Sequence, residues 1–225
     1  MSEIYQNYQP SQSTRKSENI EWNISYIYNR NDAASPRVLV IGDSICNAYQ
    51  PKLRDNLASR ANLTFWASSF CVTDPMYFRL LDTVLDFPRA DVVVFNNALH
   101  SFTSDEAEWL KAFRQATLLI RAKLPEAKLI ILNGTPLQSD PDGNVDRVNR
   151  NIASVAEQEN LPLWDINAFC SDFPKDSWSD NYHFKLDAIA LQAEFLAAKL
   201  AEVLPEAKTA VEQKSTATGP LGALK

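Results

Sequence analysis

Ser44, Asp180 and His183 are the residues of this chain whose types and spacing can do nucleophilic chemistry. Ser44 stands in Val38-Leu-Val-Ile-Gly-Asp-Ser44-Ile, beyond a short β-branched, apolar run, Arg37–Ile41. Such a run reads as a strand covered on both faces of a parallel sheet. Gly42 lets the backbone turn sharply where a Cβ would clash. The stretch that follows, Ile45–Arg60, carries a helical pattern, so the Ser44 N–H points from a helix N-terminus and suits an oxyanion. Taken alone, the same serine is equally well read as a helix cap.

A nucleophilic serine needs a base, and the chain contains only two histidines, His100 and His183. His183 lies in Trp178-Ser-Asp180-Asn-Tyr-His183-Phe, a polar loop ahead of the last helix. In a tight turn, the Asp-x-x-His spacing lets the Asp180 carboxylate reach the imidazole Nδ1. There it fixes the tautomer and stabilises the imidazolium. Nε2 is then free to take the Ser44 proton. Cys46, two positions after Ser44, reads as a buried small residue of the first helix. Asp43 adjoins the serine but points away from it and holds the loop through backbone hydrogen bonds. Asp140-Pro-Asp-Gly-Asn144 lacks the twelve-residue loop and terminal glutamate of a calcium site. No metal or cofactor is expected. Asn133-Gly-Thr-Pro136, at a strand end on the same edge, reads either as cleft lining or as an ordinary turn.

These residues must be positioned by the elements around them. Apolar runs at Arg37–Ile41, Leu63–Trp66, Asp91–Phe95, Lys128–Asn133 and Leu161–Asp165 alternate with helical patterns. The helices are expected at Ile45–Arg60, Met76–Leu85, Ser104–Leu124, Val145–Glu159 and about Leu186 to Val203. Thr103 with Glu106 is read as the capping box of the third. The alternation predicts an α/β fold, a three-layer αβα sandwich on a five-stranded parallel sheet. The strand order expected, 2-1-3-4-5, is that of the flavodoxin-like class and is not set by the alternation itself. Ile20–Tyr28 is too aromatic for a tail and is read as a segment packing onto the domain. Residues 1–18 are read as a loose arm, 19–207 as the folded domain and 208–225 as a disordered tail.

Composition narrows the function. A length of 225 residues suits one α/β domain. A net charge of −6 with no basic run argues against nucleic acid. Five glycines and no GxGxxG or GxxxxGK disfavour a nucleotide. Three cysteines (Cys46, Cys71, Cys170) without paired spacing indicate neither a disulfide framework nor zinc. A polar N-terminus and no spanning apolar stretch give a soluble, cytoplasmic protein without a membrane partner as the expectation.

Gly42-Asp43-Ser44 after the first strand, with Asp180-x-x-His183 before the last helix, resembles the SGNH, or GDSL, hydrolase superfamily from about Arg37 to Val203. The resemblance implies Ser44 as nucleophile, His183 as base and Asp180 as its acid. It also implies an oxyanion hole from the serine N–H, a glycine N–H after the second strand and an asparagine after the third. Here Trp66-Ala-Ser-Ser-Phe70 has no glycine, so a backbone N–H of Ser68 or Ser69 takes that place. Phe95-Asn-Asn-Ala-Leu-His100-Ser is similar to an Asn-Asn-Gly-Leu-His-Asp version of the third block, which leaves Asn97 or His100 as the side-chain donor. The resemblance implies a serine esterase for short acyl esters, O-acetyl on a carbohydrate foremost. An acyltransferase on the same fold and a catalytically impaired binding or scaffold protein are the alternatives.

Overall fold

The structure, a computed structural model, describes residues 15–206. Residues 1–14 of the expected arm and the expected tail at 208–225 lie outside the described residues. The strands are β1 (Asn23–Ile27), β2 (Arg37–Gly42), β3 (Asn62–Ser68), β4 (Val92–Phe95), β5 (Lys128–Leu132) and β6 (Leu163–Trp164). The helices are α1 (Ser44–Leu57), α2 (Pro75–Leu85), α3 (Glu106–Lys123), α4 (Asn144–Gln158), α5 (Ile166–Ser171) and α6 (Leu186–Ala201). The sheet order is β1-β3-β2-β4-β5-β6. Counted over the five parallel strands this is the expected 2-1-3-4-5.

The sheet has six strands rather than five. Residues 23–27, expected only to pack on the domain, form β1 and pair antiparallel with β3, Ser25 opposite Trp66. Their period-two signal is short: Trp22, Ile24 and Tyr28 face the core, while Asn23 and Ser25 face solvent. Without β1 the edge of β3 would present a row of unpaired backbone groups.

Alternation along β2 divides the core between two faces. Val38 and Val40 point to the layer of α1 and α6, where Tyr49, Leu53, Leu57, Leu196 and Leu200 meet them. Leu39 and Ile41 point to the layer of α2, α3 and α4, against Tyr77, Phe113 and Ile152. Because both faces are covered, Val38–Ile41 are apolar on both sides of the strand, and all six residues of β2 are buried.

The third helix begins two residues later than expected, and its cap is not Thr103. The Asp105 side chain accepts from the Glu108 N–H at 3.0 Å, while Thr103 Oγ1 accepts from the Lys16 N–H at 3.0 Å. Asp140 caps α4, accepting from the N–H groups of Asn144 and Val145. Among the described residues no helix is long and apolar enough to cross a membrane.

Candidate active site

β2 is the strand at which the chain's path divides. Its neighbours are β3, reached through α1, and β4 on the other side. The crevice at the carboxyl end of such a strand is where open α/β sheets hold ligands. Ser44 is at that end, as the first residue of α1. As a first-turn residue its N–H has no acceptor within the helix. Gly42 is required there by close approach, since a Cβ on it would lie 2.6 Å from Cys46 Cβ. Asp43 Oδ1 accepts from the Ile45 N–H at 3.0 Å and starts the helix. Asp43 thus serves the loop, as its position beside the serine predicts. Cys46 is buried, and burial pushes its thiol pKa up, away from the reactive thiolate.

The second half of the site comes from the loop before α6. Trp178 and Phe184 form an isolated antiparallel bridge, and the Ser179 N–H donates to the His183 carbonyl at 2.8 Å. Within this closed turn Asp180 Oδ1 accepts from the backbone N–H groups of Tyr182 and His183, both at 2.8 Å. Asp180 Oδ2 is 2.8 Å from His183 Nδ1. A carboxylate only accepts, so Nδ1 carries the hydrogen and Nε2 keeps its lone pair. His183 Nε2 lies 2.9 Å from Ser44 Oγ. Partial burial works to raise the Asp180 pKa. The hydrogen bonds from Tyr182, the imidazole and the His183 N–H outweigh it and hold the carboxyl below its ordinary value. Chemically, the arrangement can deprotonate a serine hydroxyl and stabilise the resulting imidazolium.

The three groups expected as further oxyanion donors are placed otherwise. The Ser69 N–H donates to the Trp22 carbonyl at 3.1 Å. Its hydroxyl donates to Glu21 Oε2 at 2.6 Å and accepts from the Trp22 N–H at 2.8 Å. The run into β1 has therefore consumed the donor that the missing glycine left to Ser69. The neighbouring Ser68 is also fully buried, its hydroxyl bonded to the Trp22 carbonyl and the Phe70 N–H. Asn97 is fully buried, and its amide braces the loop after β3, donating to the Phe70 carbonyl at 3.0 Å and accepting from the Val72 N–H at 2.9 Å. Asn96 likewise ties β4 to β5 through the carbonyls of Leu132 and Asn133. His100 does stand in the wall beside Ser44. However, its Nδ1 is 2.6 Å from Glu18 Oε1, and its Nε2 is buried without a partner among the described residues. No ring N–H of His100 is turned to the serine in this arrangement.

A cleft of about 390 Å³ lies over the site, lined by Ser44, His183 and Tyr182 together with Lys16, Glu18 and Trp22. The part of Lys16 and Glu18 was not legible as functional, because residues 1–18 read as a loose arm. Arg15, the first described residue, is instead buried, bonded to Asp74 at 2.7 Å and to Glu21 at 2.7 Å. The basic Arg15 followed by the acidic Glu18 and Glu21 ahead of Trp22 was the available signal. Asn133 and Gly134 line a separate small cavity with Asp43 and Asn96. Gly134 exchanges hydrogen bonds with the Asn149 side chain, so this segment is structural. Among the described residues no group of three or more His, Cys, Asp or Glu side chains could hold a metal ion.

No family profile matches the sequence, and no curated protein sequence matches it. Solved structures do. An acetylxylan esterase from Geobacillus stearothermophilus is 15% identical, with a TM-score of 0.60 over 76% of this chain and 96% of its own. A member of the lipolytic G-D-S-L family from Veillonella parvula is 18% identical, with a TM-score of 0.58 over 75% of this chain and 98% of its own. A carbohydrate esterase of family 3 from Talaromyces cellulolyticus is 16% identical, with a TM-score of 0.59 over 74% and 97%. The chain has the SGNH/GDSL hydrolase fold. At these identities the likeness speaks for the fold; chemistry has to be argued from the site.

Proposed function

We propose that this chain is a serine hydrolase that cleaves short acyl esters, O-acetyl foremost, from a carbohydrate. The observation that carries the reading is the chain of contacts from Ser44 Oγ to His183 Nε2 at 2.9 Å and from His183 Nδ1 to Asp180 Oδ2 at 2.8 Å. His183 takes the proton as Ser44 Oγ attacks the ester carbonyl. The tetrahedral oxyanion forms against the Ser44 N–H at the start of α1. Collapse breaks the bond to the alcohol, which leaves with the proton from His183. Water then gives a proton to His183 and attacks the acyl-serine, and its collapse releases the acid and restores Ser44.

The carbohydrate part rests on the lining of the cleft and on the neighbours, two of which are an acetylxylan esterase and a carbohydrate esterase. Lys16, Glu18 and Thr103 place charge and hydroxyl along the walls, with Trp22 and Tyr182 as aromatic surfaces. A long acyl chain there would strip water from charged groups and return no hydrogen bonds. A hydroxylated ring returns them and can lie on the aromatic faces.

The test is labelling with a fluorophosphonate together with acetate release from acetylated xylo-oligosaccharide. Labelling of wild type that is lost in Ser44→Ala, with acetate released only by wild type, is the expected result. A folded wild-type protein that neither labels nor releases acetate overturns the reading.

A further inference from the structure

We propose that Glu18 is a specificity-determining residue that accepts hydrogen bonds from the hydroxyl groups of the alcohol half of the substrate, with His100 as the residue that positions it. The proposal rests on the hydrolase reading above and names the subsite beside Ser44.

Both histidines of the chain stand in the same cleft, and each has its Nδ1 on a carboxylate. The two pairs are not equivalent. In the Asp180–His183 pair the imidazole Nε2 meets Ser44. In the Glu18–His100 pair Nε2 is enclosed, and the carboxylate is the exposed partner, with 43% of the Glu18 side chain exposed against 12% for His100. His100 Nδ1–H therefore holds Glu18 Oε1, while Oε2 has no partner among the described residues, and the half-exposed Glu18 side chain lines the cleft. The backbone is held as well. The Glu18 N–H donates to Glu21 Oε1 at 2.9 Å, and the Lys16 N–H to Thr103 Oγ1 at 3.0 Å. Arg15, buried between Asp74 and Glu21, pins the segment to the loop after β3. Glu18 is thus a carboxylate fixed at both its backbone and one oxygen, in the same cleft as Ser44.

An ionised carboxylate offers acceptors and no donor. It suits a carrier that presents O–H groups and rejects one in which those groups are capped. Loss of a charge-assisted hydrogen bond to substrate is worth about ten- to a hundredfold in affinity.

The inactive Ser44→Ala protein allows binding to be measured without turnover, by calorimetry. Two ligands are compared, methyl 2-O-acetyl-xylopyranoside and its 3,4-di-O-methyl derivative. With Glu18 present the free sugar is expected to bind at least tenfold more tightly than the methylated one. Glu18→Ala should bring the two within about twofold of each other, and Glu18→Gln should give an intermediate ratio. His100→Ala should also reduce the ratio and add little to Glu18→Ala, because it acts through Glu18. A ratio unchanged by Glu18→Ala overturns the proposal, as does the absence of sugar binding at millimolar concentration. If Glu18-dependent discrimination is found but wild type fails to label with fluorophosphonate, the subsite stands and the hydrolase reading falls.

Discussion

Trp22 and Ser69 clasp each other: the Trp22 N–H donates to Ser69 Oγ at 2.8 Å, and the Ser69 N–H donates to the Trp22 carbonyl at 3.1 Å. This clasp ties the N-terminal segment to the end of β3. It also occupies the Ser69 N–H, so that group is not free for a ligand. The segment held by the clasp brings Lys16, Glu18 and Trp22 to the cleft that Ser44 lines.

On the proposed mechanism, loss of Ser44 or His183 removes turnover. Ser44→Ala and His183→Ala should each lower kcat on p-nitrophenyl acetate by at least about 10⁴-fold, and Asp180→Asn by about 10⁴-fold through the wrong imidazole tautomer. Unfolding midpoints measured alongside should stay close to wild type, since Ser44 is only half-buried and Asp180 is exposed.

His100→Ala discriminates between two assignments of that ring. An oxyanion donor would cost about 10²- to 10³-fold in kcat. With Nδ1 on Glu18 and Nε2 enclosed, the expected loss on p-nitrophenyl acetate is below tenfold. Steady-state kinetics on this small ester, which has no hydroxylated carrier, makes the comparison.

The Asp180 carboxyl should titrate below its ordinary value. Against the opposing effect of partial burial, hydrogen bonds from Tyr182, the imidazole and the His183 N–H favour the charged form, so the carboxylate persists as pH falls through 3.8 and is lost only at lower pH. Stability that these bonds contribute is therefore present above 3.8 and lost as pH falls through the lower folded value. Carbon NMR of the Asp180 carboxyl against pH makes the measurement. A midpoint at or above 3.8 would mean that these bonds do not hold the carboxylate.

Gly42→Ala places a Cβ 2.6 Å from Cys46 Cβ, too close to fit without a shift at the turn into α1. Overpacking of this kind costs about 1–3 kcal/mol. Urea unfolding should show that loss, and kcat should fall with it because the turn carries Ser44. A fully stable Gly42→Ala protein would show that the turn can widen.

Much of this protein could be read from its residues in order. The apolar runs announce buried strands because a strand covered on both faces has no polar side, and Val38–Ile41 shows that pattern. Ser44 beyond Gly42, and Asp180 three residues before His183, are local arrangements. Their geometry follows from a strand-to-helix turn and a tight loop, which short stretches of chain specify themselves.

The remainder depended on contacts between distant segments. His183 meets Ser44 across 139 positions of sequence. Asn97 looked like a donor at a strand end, yet its amide is used to brace the loop at Phe70 and Val72. Ser69 lost its N–H to a segment that read only as packing, and residues 15–18 read as an arm although Arg15 is buried between two carboxylates. A polar group's role is set by which partner reaches it first in three dimensions, since a buried donor already bonded to the chain is not available to substrate. Residue types and local spacing pointed to Ser44, His183 and Asp180 and to the layers that hold them. Only the tertiary structure decided which of the remaining polar groups stay free to face the cleft.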